Sequence, residues 1–326
     1  MITLTSKELK SLLGMSDAIA LVEKAMITTS NGGATLPLRT AMPLDAPNML
    51  GSMPGALSEP PCFGTKLISL YPDNPAHGHS SHLGMMVVFE RAFGRPTAIM
   101  DAGILTAIRT AAASAVATRA LARKDARVLA IIGTGEQALF HVASIKAVRD
   151  ITELRIAGRT PKRAAEFAKK IAGKYPELKV VAALDAQEAV QGADVICTVT
   201  SSRETVLKGA WVSPGAHVNA VGASVPTMRE IDEDLVVQAS LFVDYRPSIF
   251  AQARDIIEAL ESGKITKDHI RGEIGEVLGG QVSGRGSSQG ITLYRSMGIA
   301  AQDLICAHFV QEQAKAQGIG TEVSIS

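Results

Sequence analysis

Val128 to Ile132 form an unbroken apolar run that stops at Gly133-Thr134-Gly135, and an amphipathic stretch containing Ala138 begins directly behind it. The run reads as a buried parallel strand and the stretch as a helix, so the glycines mark a strand-to-helix corner. The first glycine of such a corner permits a tight turn, and the second lets backbone N–H groups approach a pyrophosphate. A small third residue, here Ala138, lets the helix lie close on the strand with its positive end toward the phosphates. Glycines occur at many corners; the flanking strand and helix give this G-x-G-x-x-A its nucleotide-binding meaning. A second chemical signal stands where the next strand, ELRIAG, ends. Sites for NAD usually place Asp or Glu there to hold the ribose hydroxyls, whereas this chain has Ala157-Gly158-Arg159-Thr160. No carboxylate repels a ribose phosphate, and Arg159 and Thr160 can donate to one, which favours NADP(H). Arg159 read as a mere surface residue at a helix start would leave the missing acid unexplained.

The elements that must position these groups follow from periodicity. After the glycine corner, helices PKRAAEFAKKIAGKY and AQEAVQGA alternate with strands ELRIAG, KVVAAL and DVICTVTS, followed by HVNAVGA and LFVDY. Such alternation implies right-handed crossovers and a doubly wound, Rossmann-type parallel sheet covered on both faces. Upstream, Ser6 is expected to cap KELKSLL, and Ser16 or Asp17 to cap AIALVEKAMITTS, whose apolar stripe (Ala18, Leu21, Val22, Ala25, Met26) must pack on something. Between Leu36 and Phe93 the texture changes to strands broken by Pro and Gly: NMLGSMPGAL, FGTKLISLY and HLGMMVVFE, with TAIMD after the Arg95-Pro96 turn. An alanine-rich helix from Ile104 to Ala122 then connects to the glycine corner. From Ile249 the chain reads as mostly helical, interrupted by VLGGQVSGRGSSQG, which is either a mobile or ligand-facing loop or a plain solvated linker.

Composition bounds the classes. With 33 basic and 32 acidic residues, the net charge of +1 gives no reason to invoke nucleic acid or an anionic membrane. The apolar runs are too short to span a bilayer, and MITLTSKELK lacks the apolar core of a secretory signal. Cys62, Cys197 and Cys306 lie far apart without a C-x-x-C pair, which fits reduced, mostly buried thiols and no structural zinc. A cytoplasmic protein is expected.

Taken together, FGTKLIS around Lys66, AIRTAAASAVAT around Arg109, IIGTGEQA, GADVICTVT, WVSPGAHVNAVGAS and SMGIAAQD resemble the ornithine cyclodeaminase/mu-crystallin family, in the family's order and over essentially the full length. The resemblance implies an α/β protein of two domains. Residues 1–120 with 300–326 would form an α+β substrate-binding and dimerisation domain, and 121–299 the NADP(H)-binding domain, with the active site in the cleft and a homodimer as the assembly. Besides the corner residues and Gly158-Arg159-Thr160, it implies cofactor contacts from Thr110, Gln137, Thr198, Val199, Val221, Gly222 and Ser296. Ornithine-deaminating members carry Asp in V-G-G-D-x-P; here Val221-Gly222-Ala223-Ser224-Val225-Pro226 puts the neutral Ser224 at that position. The departure turns the resemblance toward the branch of NADPH-dependent ketimine and Δ1-pyrroline-2-carboxylate reductases, with NADH also possible.

An imino acid presents a carboxylate beside a C=N bond, and guanidinium can hold that carboxylate bidentately. The resemblance implies that Arg109, assisted by Arg39 and Lys66, faces the nicotinamide and forms this clamp. An arginine at Arg109's place would otherwise read as a solvated charge, as would Arg39 in its Pro-rich context. Lys66, or water that it holds, could protonate the imine nitrogen if burial among cations lowers its pKa. Ser224 could hydrogen-bond the same nitrogen or the nicotinamide carboxamide. His82 matches a family histidine near the nicotinamide, while His77 and His79 read as loop residues, and the three are not expected to bind metal. Asp303 matches a family position, with a helix-capping or structural role equally open. The expected substrates are Δ1-pyrroline-2-carboxylate and Δ1-piperideine-2-carboxylate; a lyase, an open-chain imino acid reductase and a mu-crystallin-like binding protein remain as alternatives.

Overall fold

The computed structural model describes residues 1–324. In chain order it runs β1 (Ile2–Leu4), α1 (Ser6–Leu12), α2 (Met15–Ser30), β2 (Ala34–Thr35), β3 (Thr40–Pro43), β4 (Met49–Leu57), β5 (Cys62–Leu70), β6 (His82–Glu90), β7 (Pro96–Asp101) and the long α3 (Ala102–Leu121). The glycine corner joins β8 (Val128–Ile132) to α4 (Glu136–Lys146). There follow β9 (Glu153–Ala157), α5 (Pro161–Lys174), β10 (Lys179–Ala182), α6 (Ala186–Val190), β11 (Val195–Thr198), β12 (His217–Ala220), α7 (Glu233–Gln238), β13 (Ser240–Val243), α8 (Arg246–Gln252) and α9 (Arg254–Glu261). The last elements are β14 (Ile270–Glu273), α10 (Ile274–Leu278), β15 (Thr292–Arg295), α11 (Ala300–Gln317) and β16 (Thr321–Glu322).

Two compact units divide the chain, one from Met1–Thr110 together with the chain from Ile299 onward, the other from Ala111–Gly298. The division falls inside α3, while the boundary read from the sequence lies further along the same helix. The architecture is α/β, with one sheet in each unit. In the first unit β4, β5, β6 and β7 form an antiparallel meander, β1 adds in parallel to β7, and β16 closes that edge. Burial alternates along β5, so Cys62, Gly64, Lys66 and Ile68 share the face on which α11 packs. Two glycines allow that packing: a Cβ at Gly55 would stand 2.8 Å from Cβ of Ala300, and one at Gly64 3.2 Å from Leu304 Cδ2 and 2.1 Å from the Val87 carbonyl.

In the second unit the sheet is parallel, in the order β10-β9-β8-β11-β12-β15-β13-β14. The order reverses between β8 and β11, and outside the carboxyl ends of such a pair lies the crevice where parallel sheets take ligands. β8, β11 and β12 carry almost wholly buried runs, as strands covered on both faces must.

Three local expectations are corrected. Thr5, not Ser6, caps α1, in a reciprocal capping box with Glu8. The cap of α2 is Gly14, with no side-chain bond from Ser16 or Asp17. The segment after Ile249 holds α8 to α11 but also strands that were not expected: β14 and β15 enter the parallel sheet, β15 lying between β12 and β13 with all four residues buried. Four residues, Ile-Arg-Gly-Glu in β14 and Thr-Leu-Tyr-Arg in β15, are too few to show a periodicity by which strand and helix can be told apart. The glycine-rich stretch before β15 is tied down by Arg285, which donates to the carbonyls of Leu121, Ala216, Ser287 and Gly290 and to the Thr292 hydroxyl.

Candidate functional site

In the first unit Lys66, Arg109 and Asp303 meet. The Lys66 ammonium donates to both carboxylate oxygens of Asp303, at 3.1 and 3.0 Å, and Arg109 Nε donates to Oδ1 at 2.9 Å. Arg109 Nη1 donates to Gln302 Oε1 at 3.0 Å. Each member is buried: Lys66 is 2 % exposed, Arg109 4 %, Gln302 and Asp303 0 %. Lys66 comes from the covered face of β5, Arg109 from α3, and Asp303 from the first turn of α11, where the helix dipole also favours a carboxylate. Asp303 is therefore no cap; it is the shared counter-ion of two buried cations. With Lys66 protonated the three side chains sum to one positive charge, an arrangement that favours an anionic ligand.

Burial first, then the Arg109 charge, pull Lys66 down to about 7, with Arg39 contributing in the same direction and Asp303 opposing. Burial alone would raise the Asp303 carboxyl, but Arg109 and Lys66 outweigh it and hold the group below its ordinary value. Lys66 is thus poised to exist in either protonation state near neutrality. Arg39, half-buried between β2 and β3, reaches the cluster through its charge. His82 opens β6 with exposed surface and a 2.8 Å hydrogen bond between Nδ1 and Ser81 Oγ. Surrounding protein and the Lys66 charge lower its imidazole to about 4, so it is neutral at pH 7. Among the described residues no group of three His, Cys, Asp or Glu side chains is placed to hold a metal ion. The three cysteines are free and buried, and burial pushes the thiols up, Cys62 to about 11 and Cys197 to about 12.

All the residues expected at a dinucleotide except Thr110 lie in the second unit. Gly133 stands at φ +124°, where a Cβ would lie 2.7 Å from the Val199 carbonyl, so both conformation and space require glycine. Gly135 caps α4 without a side-chain bond, and nothing lies within 4 Å of where its Cβ would be. Ala138 is fully buried and Gln137 keeps a buried Oε1 without a partner. An open helix start behind glycines at the sheet's reversal point suits a pyrophosphate, so the residues present fit a dinucleotide. At the end of β9, Gly158 abuts Thr134, Arg159 is exposed, and Thr160 caps α5 by accepting from Arg163 N at 3.3 Å.

Val199, Val221 and Ser296 are buried at the ends of β11, β12 and β15, and Thr110 is buried on α3 at the first unit's boundary. Ser224 belongs to the second unit, in the loop after β12, and is half-buried. Thr198 is fully buried and its hydroxyl donates to Glu230 at 2.9 Å, so that side chain turns into the core. Glu230 escaped the sequence reading. It is 1 % exposed and also accepts from Thr200 N and Oγ1 and from the backbone N–H groups of Gly222 and Ala223. One carboxylate thus pins the loops after β11 and β12. Gly222 has no room for a side chain there, since a Cβ would stand 2.0 Å from the Thr200 carbonyl. Nothing in the composition of PTMREIDE marks that role. Gln302 was also passed over, although it adjoins Asp303 in SMGIAAQD.

The family model for ornithine cyclodeaminase/mu-crystallin matches residues 1–318. A Δ1-pyrroline-2-carboxylate reductase of Bacillus cereus is 31% identical over 325 residues, 99% of each chain. The ketimine reductase mu-crystallin of Rattus norvegicus is 36% identical over 283 residues, 86% of each. Among solved structures, the Thermococcus litoralis Δ1-pyrroline-2-carboxylate reductase in complex with NADH and L-proline superposes with a TM-score of 0.95 at 34% identity, covering 99% of this chain and 100% of the other. No helix among the described residues is long and apolar enough to cross a membrane. A buried Lys–Asp–Arg cluster in one unit, a glycine-cornered parallel sheet in the other and this full-length likeness lead to one assignment: the chain belongs to the ornithine cyclodeaminase/mu-crystallin family.

Proposed function

We propose that the protein reduces cyclic imino acids, Δ1-pyrroline-2-carboxylate or Δ1-piperideine-2-carboxylate, to L-proline or L-pipecolate with NADPH. The observation that carries this reading is the buried Lys66 at about 7 beside Arg109 on one carboxylate. An imine becoming an amine must gain a proton as hydride arrives, and an acid with a pKa near the working pH is best suited to give it. Arg109, with Arg39, holds the substrate carboxylate. Lys66 delivers the proton to the ring nitrogen, and its neutral form is tolerated because Arg109 still neutralises Asp303. Reduced nicotinamide, when bound, supplies the hydride. Gly133, Gly135 and the start of α4 take the pyrophosphate, while Arg159 and Thr160 take the ribose phosphate. Ser224, which has no carboxylate to act as a base, disfavours ornithine deamination.

The test is loss of nicotinamide absorbance with each imino acid, run with NADPH and NADH side by side because the Thermococcus relative holds NADH. Turnover that prefers NADPH is expected; ammonia released from ornithine without net cofactor change would replace the reading with a lyase. Arg159→Ala should weaken NADPH by about ten-fold or more and NADH far less, and equal losses would remove the phosphate role. The same reading includes a homodimer through the first unit, whose β3, β4 and β6 region exposes Met42, Leu44, Leu50, Leu83 and Met85.

A further inference from the structure

Gln302 carries a polar group that nothing in the first unit uses. Its Oε1 accepts from Arg109 Nη1 at 3.0 Å, and because arginine has no acceptor, the amide cannot be turned the other way. The orientation leaves Nε2, with two N–H donors, on the opposite side of the amide. That nitrogen has no hydrogen-bond partner, and the side chain is 0 % exposed. A fully buried amide donor without an acceptor is rare in folded proteins, because water's hydrogen bonds are lost and nothing replaces them. Gln302 is held by the guanidinium of the proposed clamp and is the chain neighbour of the carboxylate that receives Lys66. The missing partner must be an acceptor, and the acceptor that the clamp attracts is a carboxylate.

We infer that Gln302 contacts the substrate directly, its Nε2 donating to the imino acid carboxylate alongside Arg109. The carboxylate is then gripped by a guanidinium and an amide that are themselves locked together, which leaves Lys66 for the ring nitrogen. That the ligand is a carboxylate rests on the reductase reading; the need for an acceptor at Nε2 does not. Gln302 also becomes a specificity element, since a substrate without that carboxylate would leave both Nε2 and the guanidinium unanswered.

Two variants separate this donor role from a role confined to holding Arg109. Q302A removes both ends of the amide. Q302E keeps an oxygen for Arg109 but replaces the donor with a second negative oxygen. Wild type and both variants are titrated with pyrrole-2-carboxylate, a planar ring carboxylate without an ammonium group, in the presence of NADPH. Affinity should fall about ten-fold in Q302A and at least as far in Q302E, with NADPH affinity within two-fold of wild type as the check on folding. Q302E binding as tightly as wild type would confine Gln302 to holding Arg109 and overturn the inference, as would an unchanged Q302A or a wild type that binds no carboxylate. Turnover by the wild type is scored separately. If it fails while the variants order as expected, the reductase reading falls and the carboxylate contact stands.

Discussion

At the residue scale, the proposed chemistry rests on the buried cluster of Lys66, Arg109 and Asp303. Lys66 and Arg109 were legible because their surrounding motifs resemble a family. Their partner was not, because residue types cannot reveal a contact between positions 237 apart in the chain. Asp303 at a helix start looks the same whether it caps the helix or neutralises buried cations. Two expectations follow. As an acid that loses its proton at about 7, Lys66 should make imino acid turnover fall as pH rises through that value, and a pH–rate profile of kcat/KM reads this directly. The same group affects stability with a definite sign. Unfolded lysine keeps its proton up to the ordinary 10.5, so between about 7 and 10.5 the unfolded chain binds more protons than the folded one. Its contribution therefore makes stability rise with pH across that window, and comparing urea midpoints with those of Lys66→Met isolates it from the thiols. Asp303→Asn removes the only carboxylate bonded to the pair in the described cluster. A loss of roughly 3–5 kcal/mol is expected in the same unfolding assay.

At the scale of elements, α3 and α11 deliver the cluster. The start of α3 is fixed by Asp101 Oδ1, which accepts from Ile104 N at 2.7 Å. Its other end is held by two arginines. Arg149 donates to the carbonyls of Thr118, Arg119, Ala122 and Arg123, and Arg285 to that of Leu121. They lie in the last turn of α3 and just beyond it, where carbonyls run out of intrahelical partners (Thr118 still accepts from Ala122 N) and cations suit that end of the dipole. The α3 span was readable from its alanine content, but its arginine anchors were not, since Arg285 sits in a glycine-rich stretch that reads as loop or linker. Arg285→Met should cost about 2 kcal/mol by leaving several carbonyls unanswered, seen as a lower urea midpoint. A midpoint equal to wild type would mean that the stretch is held by its backbone alone. The strands β14 and β15 were hidden for a different reason. Each is four residues long, two strand repeats or barely one helical turn, too short to display either pattern.

At the scale of the molecule, the β/α alternation declared a parallel sheet, whereas the strand order, with β15 inserted beside β12, depends on tertiary pairing that no local pattern encodes. The resemblance implies domains of 1–120 with 300–326 and of 121–299; by contacts the structure divides at 110/111 and 298/299. If the exposed apolar side chains of β3, β4 and β6 are covered by a second copy, sedimentation should give twice the chain mass, and charged replacements at Leu83 and Met85 should shift the protein toward monomer. The division has a further consequence. Seven of the first sheet's eight strands are in the chain by Asp101, yet the helix that covers that sheet and supplies Asp303 is translated only after the whole second unit. Domains form as units while the chain emerges from the ribosome. Throughout synthesis of the second unit, then, the nascent meander lacks the helix that covers its apolar face, and Lys66 on that face and Arg109 on α3 both lack Asp303. Until α11 arrives, the uncovered face is the kind of surface that a holding chaperone binds.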